Sequence, residues 1–235
     1  MCAKQKIIFN GGIGMHKDNI IKLFNKFAYK YSIYDAYSDF IEIAALSINS
    51  AAEINNIKEN DKAFQNIVKK HSKDDFEIFV KIFTELVLAL EENTTDVLGT
   101  IFMEMGLGSK WKGQFFTSFD VCMIMAQITF NDKEINEKGY ITLNEPCVGG
   151  GAMVLAFSEV MKRKGYNPQT QLKAVCQDLD IRACYMSYIQ LSLLGIPAVV
   201  YQGNTLMLEF NKALYTPMWI LGGWDYKKGG NENEK

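Results

Sequence analysis

The sequence predicts an α/β fold in which a helical bundle precedes a parallel sheet with helices packed on it. Three observations carry that expectation. The first third of the chain repeats apolar residues at helical spacing, and no proline occurs before Pro146. From Tyr140 onward, short apolar runs alternate with helical stretches, the pattern of strand–helix–strand units. Between the first such run and the first such helix stands Gly149-Gly-Gly151, three glycines that let backbone approach a small ligand closely.

The elements follow in order. Ile20, Ile21, Phe24, Phe27 and Tyr31 form one apolar stripe, and Ile41, Ala44, Ala45, Ile48 and Ala52 a second. Phe76, Phe79, Val80, Phe83, Val87 and Leu90 form a third, with Ser72 or Asp74 as its cap. These read as the core of a bundle over residues 1–110. Ser118 caps a helix carrying Val121, Met125 and Ile128, and the polar run 131–138 reads as a surface loop. A strand at 140–144 enters the glycine turn. The helix beyond it buries Ala152, Leu155, Ala156 and Val160 and ends at Lys162-Arg-Lys164 before Gly165, as a helix dipole and a C′ glycine require. Leu172–Cys176 is the next strand. Asp180 then caps a helix with Ala183, Met186, Ile189 and Leu193 on one face. Ala198–Tyr201 is a third strand and Met218–Leu221 a fourth. Residues 111–228 would form the second domain, and 229–235 a disordered tail.

Bulk properties narrow the function. The formal net charge is −2 and neither half of the chain carries a basic excess, so a nucleic-acid surface would have to be local. The five cysteines show no CxxC spacing and the two histidines are remote from them, which argues against a metal site. An odd cysteine count without a leader-like apolar stretch suggests reduced thiols and a cytoplasmic location, and no stretch is apolar for long enough to span a bilayer.

Four segments occur in a telling order: Gly113-Gln-Phe-Phe-Thr117, Glu145-Pro-Cys-Val-Gly-Gly-Gly151, Gln177-Asp-Leu-Asp180 and Gly203-Asn-Thr-Leu206. Together, over roughly residues 75–210, they resemble the adenine-N6 DNA methyltransferases of the type I restriction-modification family. That resemblance implies a Rossmann-like methyltransferase sheet, here truncated, with S-adenosylmethionine as cofactor and DNA as partner. Asp178 would accept the ribose hydroxyls and Leu179 would lie against the cofactor adenine, which Asn204 would meet. The backbone from Pro146 through Gly149 to Gly151 would pass the methionyl part, with Glu145 receiving its ammonium group. Phe116 and Thr117 would cover the cofactor and contact its carboxylate. A plainer role remains open for each: Asp180 as a helix cap, Asn204 as a turn former, Phe115 and Phe116 as core. A dinucleotide cofactor ranks behind, because G-x-G-x-x-G is absent.

The acceptor side departs from the family. Its [DNS]-P-P-[YFW] segment directs the adenine amine at the methyl group and stacks the extruded base. Here the four prolines, Pro146, Pro168, Pro197 and Pro217, are nowhere adjacent. At the corresponding place Thr216 offers a hydroxyl without amide or carboxylate geometry and Trp219 stands one position late, so the catalytic residues stay open; Trp219 reads equally as core, and a further alternative is methyl transfer to a different substrate with Thr216 to Trp219 as a divergent acceptor site. The expectation is an S-adenosylmethionine-dependent DNA adenine-N6 methyltransferase-like protein. The alternative is a non-catalytic module that binds the cofactor or a partner, as a homodimer or beside a partner subunit, which would cover the open edge of a truncated sheet.

Overall fold

The computed structural model describes residues 11–53, 57–110 and 115–227. The N-terminal stripes form α1 (Gly11–Asn25), α2 (Ile33–Ala52), α3 (Ile57–Val68), α4 (Lys73–Glu92) and α5 (Val97–Glu104). Ile20, Phe24, Phe27, Ile41, Ala44, Ala45, Phe79 and Leu90 are buried as their spacing requires. On α4 the buried face is turned by about one residue from the expected one. It runs through Phe79, Ile82, Leu86 and Ala89, while Val80 is 65% exposed. Both faces of this helix are apolar, so spacing alone does not choose between them. Ser72 is the cap: its hydroxyl accepts from Asp75 N, and the Asp75 carboxylate accepts from Ser72 N at 2.9 Å.

The second part follows as α6 (Phe119–Thr129), α7 (Lys133–Lys138), β1 (Ile141–Glu145), α8 (Ala152–Arg163), α9 (Pro168–Gln171), β2 (Leu172–Asp178), α10 (Ile181–Leu193), β3 (Ala198–Gln202), β4 (Lys212–Tyr215) and α11 (Pro217–Leu221). The run expected as a loop thus contains the short helix α7, held by Glu134–Lys138 and Lys133–Glu137 ion pairs one turn apart and closed by Gly139 at φ 85°. The expected fourth strand at 218–221 is instead α11. Pro217 sits in its first turn and Thr216 caps it, so the segment starts as a helix starts. The actual fourth strand lies just upstream. The expected tail from 229 lies outside the described residues, as do Gly113 and Gln114.

The sheet order is β1-β2-β3-β4, with β1, β2 and β3 parallel and β4 antiparallel to β3. Glu145 pairs with Cys176, and Asp178 with Gln202, so the three parallel strands end along one edge. Ile141, Leu172, Ala174, Cys176, Ala198, Val200 and Leu214 enter a single core shared with α8, α10 and the N-terminal helices. The other face of the sheet holds a smaller cluster of Tyr140, Val199, Trp219 and Trp224. Above the main face the helices lie side by side: α2 against β4 and α10, α10 over β3 and β2, α8 on β1, and α6 against α8. On α6 the apolar residues that marked the helix are not the ones it buries. Cys122, Met123 and Ala126 face inward, while Val121, Met125 and Ile128 are exposed.

Candidate functional site

The carboxyl edge of a parallel sheet collects loop backbone and helix N-termini, and ligands bind there. Here β1 leaves the sheet through the glycine turn, β2 ends at Asp178, and the chain after β3 folds back as residues 203–211. These three exits surround a cleft of about 370 Å³, within the range of small-molecule sites. Its walls are Phe115, Phe116, Pro146, Cys147, Gly149, Asp178, Leu179 and Gly203 to Leu206.

Asp178 organises this edge. One carboxylate oxygen accepts from Gly149 N at 2.9 Å and the other from Asp180 N at 2.9 Å, tying the glycine turn of β1 to the end of β2. Burial pushes its pKa up, the backbone N–H groups of Asp180, Gly149 and Leu179 pull it down, and the nearby Asp180 charge pushes it up again; the net direction is upward. Each oxygen has a further lone pair, so the carboxylate can still accept from a ligand hydroxyl. Two of the glycines are required where they stand. Gly149 has φ 54° and a Cβ there would lie 2.9 Å from the Phe116 ring. Gly151 has φ 101° and opens α8, where a Cβ would lie 3.3 Å from Ser187 Cβ on α10. The loop 203–211 is fastened to the turn through the Thr205 hydroxyl, which donates to Pro146 O at 2.7 Å. Asn204 Oδ1 accepts from Leu206 N and Met207 N, a local turn, and the residue lines the cleft.

Of the residues singled out from sequence, Phe116, Pro146, Gly149, Asp178, Leu179 and Asn204 meet on this one cleft. Three others stand beside it. Glu145 ends β1 with one oxygen accepting from Cys147 N at 3.2 Å, Thr117 is exposed just ahead of α6, and Gly151 packs on α10. Asp180 is a helix cap, accepting from Arg182 N at 2.9 Å.

Thr216 and Trp219 are not at this edge. Because β4 runs antiparallel to β3, the chain returns to the amino edge before reaching them, about 13 Å away along β3. Thr216 is fully buried; its hydroxyl donates to Ile196 O at 2.8 Å and accepts from Ala198 N at 2.9 Å. Trp219 is 4% exposed and donates through Nε1 to Asp225 at 2.9 Å. Both have structural work that accounts for them, and neither faces the cleft.

The spacing arguments missed a buried polar group behind the turn. Asp96 caps α5, and its Oδ1 accepts from Gly99 N at 2.7 Å and from Gln190 Nε2 at 2.9 Å. The same Gln190 amide donates to Gly150 O at 2.7 Å, and its oxygen accepts from Val97 N and Leu98 N. The glycine turn is thereby braced from the N-terminal helices. Asp96 ahead of an apolar helix is a cap signal that was present in the sequence.

Among the described residues no group of three or more His, Cys, Asp or Glu could hold a metal ion, and no helix is long and apolar enough to cross a membrane.

Among solved structures, a candidate class I S-adenosylmethionine-dependent methyltransferase from Listeria monocytogenes aligns with a TM-score of 0.45 at 12% identity, covering 92% of this chain and 71% of that one. The type I restriction-modification system methyltransferase subunit from Streptococcus thermophilus aligns with a TM-score of 0.41 at 15% identity, covering 85% of this chain and 54% of that one. The chain therefore spans about half the length of the Streptococcus subunit. No curated protein matches. The family model described as N-6 DNA Methylase matches residues 95–217, more than half of the sequence and every wall of the cleft, and the chain belongs to that family.

Proposed function

We propose that the cleft binds S-adenosylmethionine and that the protein serves methylation of adenine N6 in DNA. The single observation behind this is the meeting of the glycine turn with the Asp178 carboxylate on a cleft walled by apolar side chains. The donor set fits the cofactor: a carboxylate with spare acceptor capacity for a ribose diol, Leu179 and the Phe115–Phe116 pair for an adenine face, and an Asn204 amide for ring nitrogens. Glu145 faces the ammonium group through water, and Thr117 with Phe116 closes over the carboxylate end. Cofactor binding belongs to residues 111–228 on this reading, with the helices of 1–110 as its support. When bound, the cofactor supplies an electrophilic methyl carbon on a sulfonium. The chain's own residues hold its sugar and base, exclude water with the apolar rim, and leave the cleft mouth open to an extruded base.

A second reading, a cofactor-binding module without transferase activity of its own, has one observation in its favour. The two residues offered for the acceptor amine, Thr216 and Trp219, lie at the opposite edge of the sheet.

The test is calorimetric titration with S-adenosylmethionine, followed by transfer of a labelled methyl group to mixed-sequence DNA and to adenine-free DNA. Binding, with label entering only the adenine-containing DNA, supports the first reading. Binding without transfer leaves the second. Absence of cofactor binding sinks both.

A further inference from the structure

We propose that Gln177 is a positioning residue of the cleft: its side-chain amide holds the loop 203–211 against the sheet and so fixes the wall that Asn204, Thr205 and Leu206 present to a ligand. The segment Gln177-Asp-Leu-Asp180 gives Asp178 and Leu179 to the cleft and Asp180 to a helix cap. Gln177 has neither task, yet it is 7% exposed. A side-chain amide so deeply buried is explained by the bonds it makes, because an unpaired one costs more than a typical hydrogen bond contributes.

Those bonds reach all three strand exits. Gln177 O accepts from Val148 N in the glycine turn at 2.9 Å. Its Nε2 donates to Glu209 O in the loop after β3 at 2.8 Å. The next residue along β2 is Asp178, whose carbonyl accepts from Gly203 N at 2.9 Å. From Glu209 the connection continues through the backbone, because Glu209 N donates to Asn204 O at 3.0 Å. A relay of two hydrogen bonds thus runs from a buried side chain of the sheet to a residue on the cleft wall. Gly203 makes room for it: a Cβ there would collide with Glu209 O and lie 3.3 Å from Gln177 Nε2.

Packing does little to hold this loop. Residues 206–210 are all exposed, Leu206 to 94%, and Phe210 meets the sheet edge-on at Tyr201. Hydrogen bonds therefore set where the wall stands. The Thr205 hydroxyl on Pro146 O fixes the near limb, Asn211 N on Gln202 O ends the loop, and Gln177 fixes the far limb nearest its tip. Without that amide the loop keeps its ends but not its setting, and a ligand must order it on binding. This inference rests on the reading proposed above, in which Asn204 and Asp178 face one nucleoside from two sides.

The experiment compares the full chain with two variants. Gln177→Met keeps the length of the side chain without a donor, and Gln177→Glu keeps its shape and donates only when protonated. S-adenosylmethionine binding is titrated by calorimetry, and amide hydrogen exchange is followed by mass spectrometry. Gln177→Met should bind about tenfold more weakly, the effect of one lost hydrogen bond. Its circular dichroism should be unchanged, and exchange should quicken at Met207, Leu208 and Glu209, whose N–H groups bond within the loop. Gln177→Glu should bind weakly at neutral pH, where a carboxylate faces Glu209 O, and approach the unaltered chain as pH falls and the acid can donate again. The titratable groups around this position are Asp178 beside it, Glu145 and Tyr201 on the neighbouring strands and Glu209 in the loop. The unaltered chain carries the same four and supplies the reference at each pH. Affinity of Gln177→Met within about twofold of the unaltered chain overturns the proposal. So does faster exchange spread over the whole chain, or a Gln177→Glu deficit that persists at low pH. If the unaltered chain does not bind S-adenosylmethionine, the functional reading falls. Faster exchange confined to the loop then still supports Gln177 as its anchor, and unchanged or uniform exchange overturns it.

Discussion

Asp75 in the helical bundle and Asp178 at the sheet edge are both buried or half-buried carboxylates that accept backbone N–H groups, yet their acidities move in opposite directions. At Asp75 burial pushes the pKa up, but Ser72 N, the Ser72 hydroxyl, Lys30 and the Tyr31 hydroxyl all donate to it, and the net result is well below the usual carboxylate range. At Asp178 burial again pushes up, and only backbone donors oppose it, with Asp180 adding like charge; the net result is upward. The difference separates a finished interaction from an unfinished one. Asp75 has as many donors as a carboxylate usually holds, including a cation. Asp178 is desolvated, incompletely paired and lines a cleft, the condition in which a ligand's hydroxyls gain most.

The largest effect expected from this contrast is on ligand affinity. Asp178→Ala should weaken S-adenosylmethionine binding by about 3 kcal/mol, roughly 150-fold, from the loss of two hydrogen bonds to a charged acceptor. Calorimetry measures it, and unchanged affinity would make Asp178 merely a brace for the turn. The signs of pH dependence also differ. Asp178 has a raised pKa, so its favourable contribution to folding is present at low pH and is lost as pH rises through the raised value, while ligand affinity grows over the same interval. Asp75 has a lowered pKa, so its contribution is present above the ordinary Asp value and is lost as pH falls below roughly 4 toward the lowered one. Asp75→Ala should then cost about 2–3 kcal/mol of stability at neutral pH and flatten the acid limb of a denaturation series, with cofactor affinity unchanged. A loss of affinity equal to that of Asp178→Ala would erase the distinction.

How much of this was legible in the sequence follows from what each signal reports. The glycine turn, the acid ending β2 and Asn204 could be placed because each sits at a strand exit, and strand exits of a parallel sheet share one edge. Burial on α4 and α6 could not be fixed, since apolar residues occur on both faces of each helix and spacing gives a period but no phase. Val80, Val121 and Ile128 are exposed for that reason. The direction of β4 was hidden too. The short run Lys212–Tyr215 carries little pattern, and the apolar residues 218–221 masked the start signals of a helix in Thr216 and Pro217. The Asp96–Gln190–Gly150 brace joins residues 94 and 40 positions apart, distances no local pattern reports.

The turn itself offers a smaller and sharper test. Gly149→Ala places a Cβ 2.9 Å from the Phe116 ring at a φ of 54°. It should cost about 1–2 kcal/mol of stability, one part from the left-handed backbone and one from displacing the ring. Phe116 is half-buried and packs against Phe102 with ring centroids 5.4 Å apart and tilted by 41°, so the ring has somewhere to move but loses a contact in doing so. In a double-mutant cycle with Phe116→Ala, the two costs should fall short of additivity by about 0.5–1 kcal/mol. Strict additivity would mean that the strain lies in the backbone alone.

The smallest effect bears on the cleft loop. Among the described residues Leu208 is the one non-glycine with positive φ, at 54°, and it lies in the loop that closes the cleft, with 75% of its surface exposed. A leucine gains nothing by burial there, while the left-handed conformation costs it about 1 kcal/mol. Leu208→Gly should remove that strain and give back part of it as backbone entropy, for a net gain of about 0.5 kcal/mol in thermal stability. If the strain holds the loop in a ligand-ready form, the same variant should bind S-adenosylmethionine more weakly despite folding more stably, because the relaxed loop must be ordered on binding. More stable folding with unchanged affinity would show that the strained residue only fastens Thr205 to Pro146 and that the cleft is complete without it.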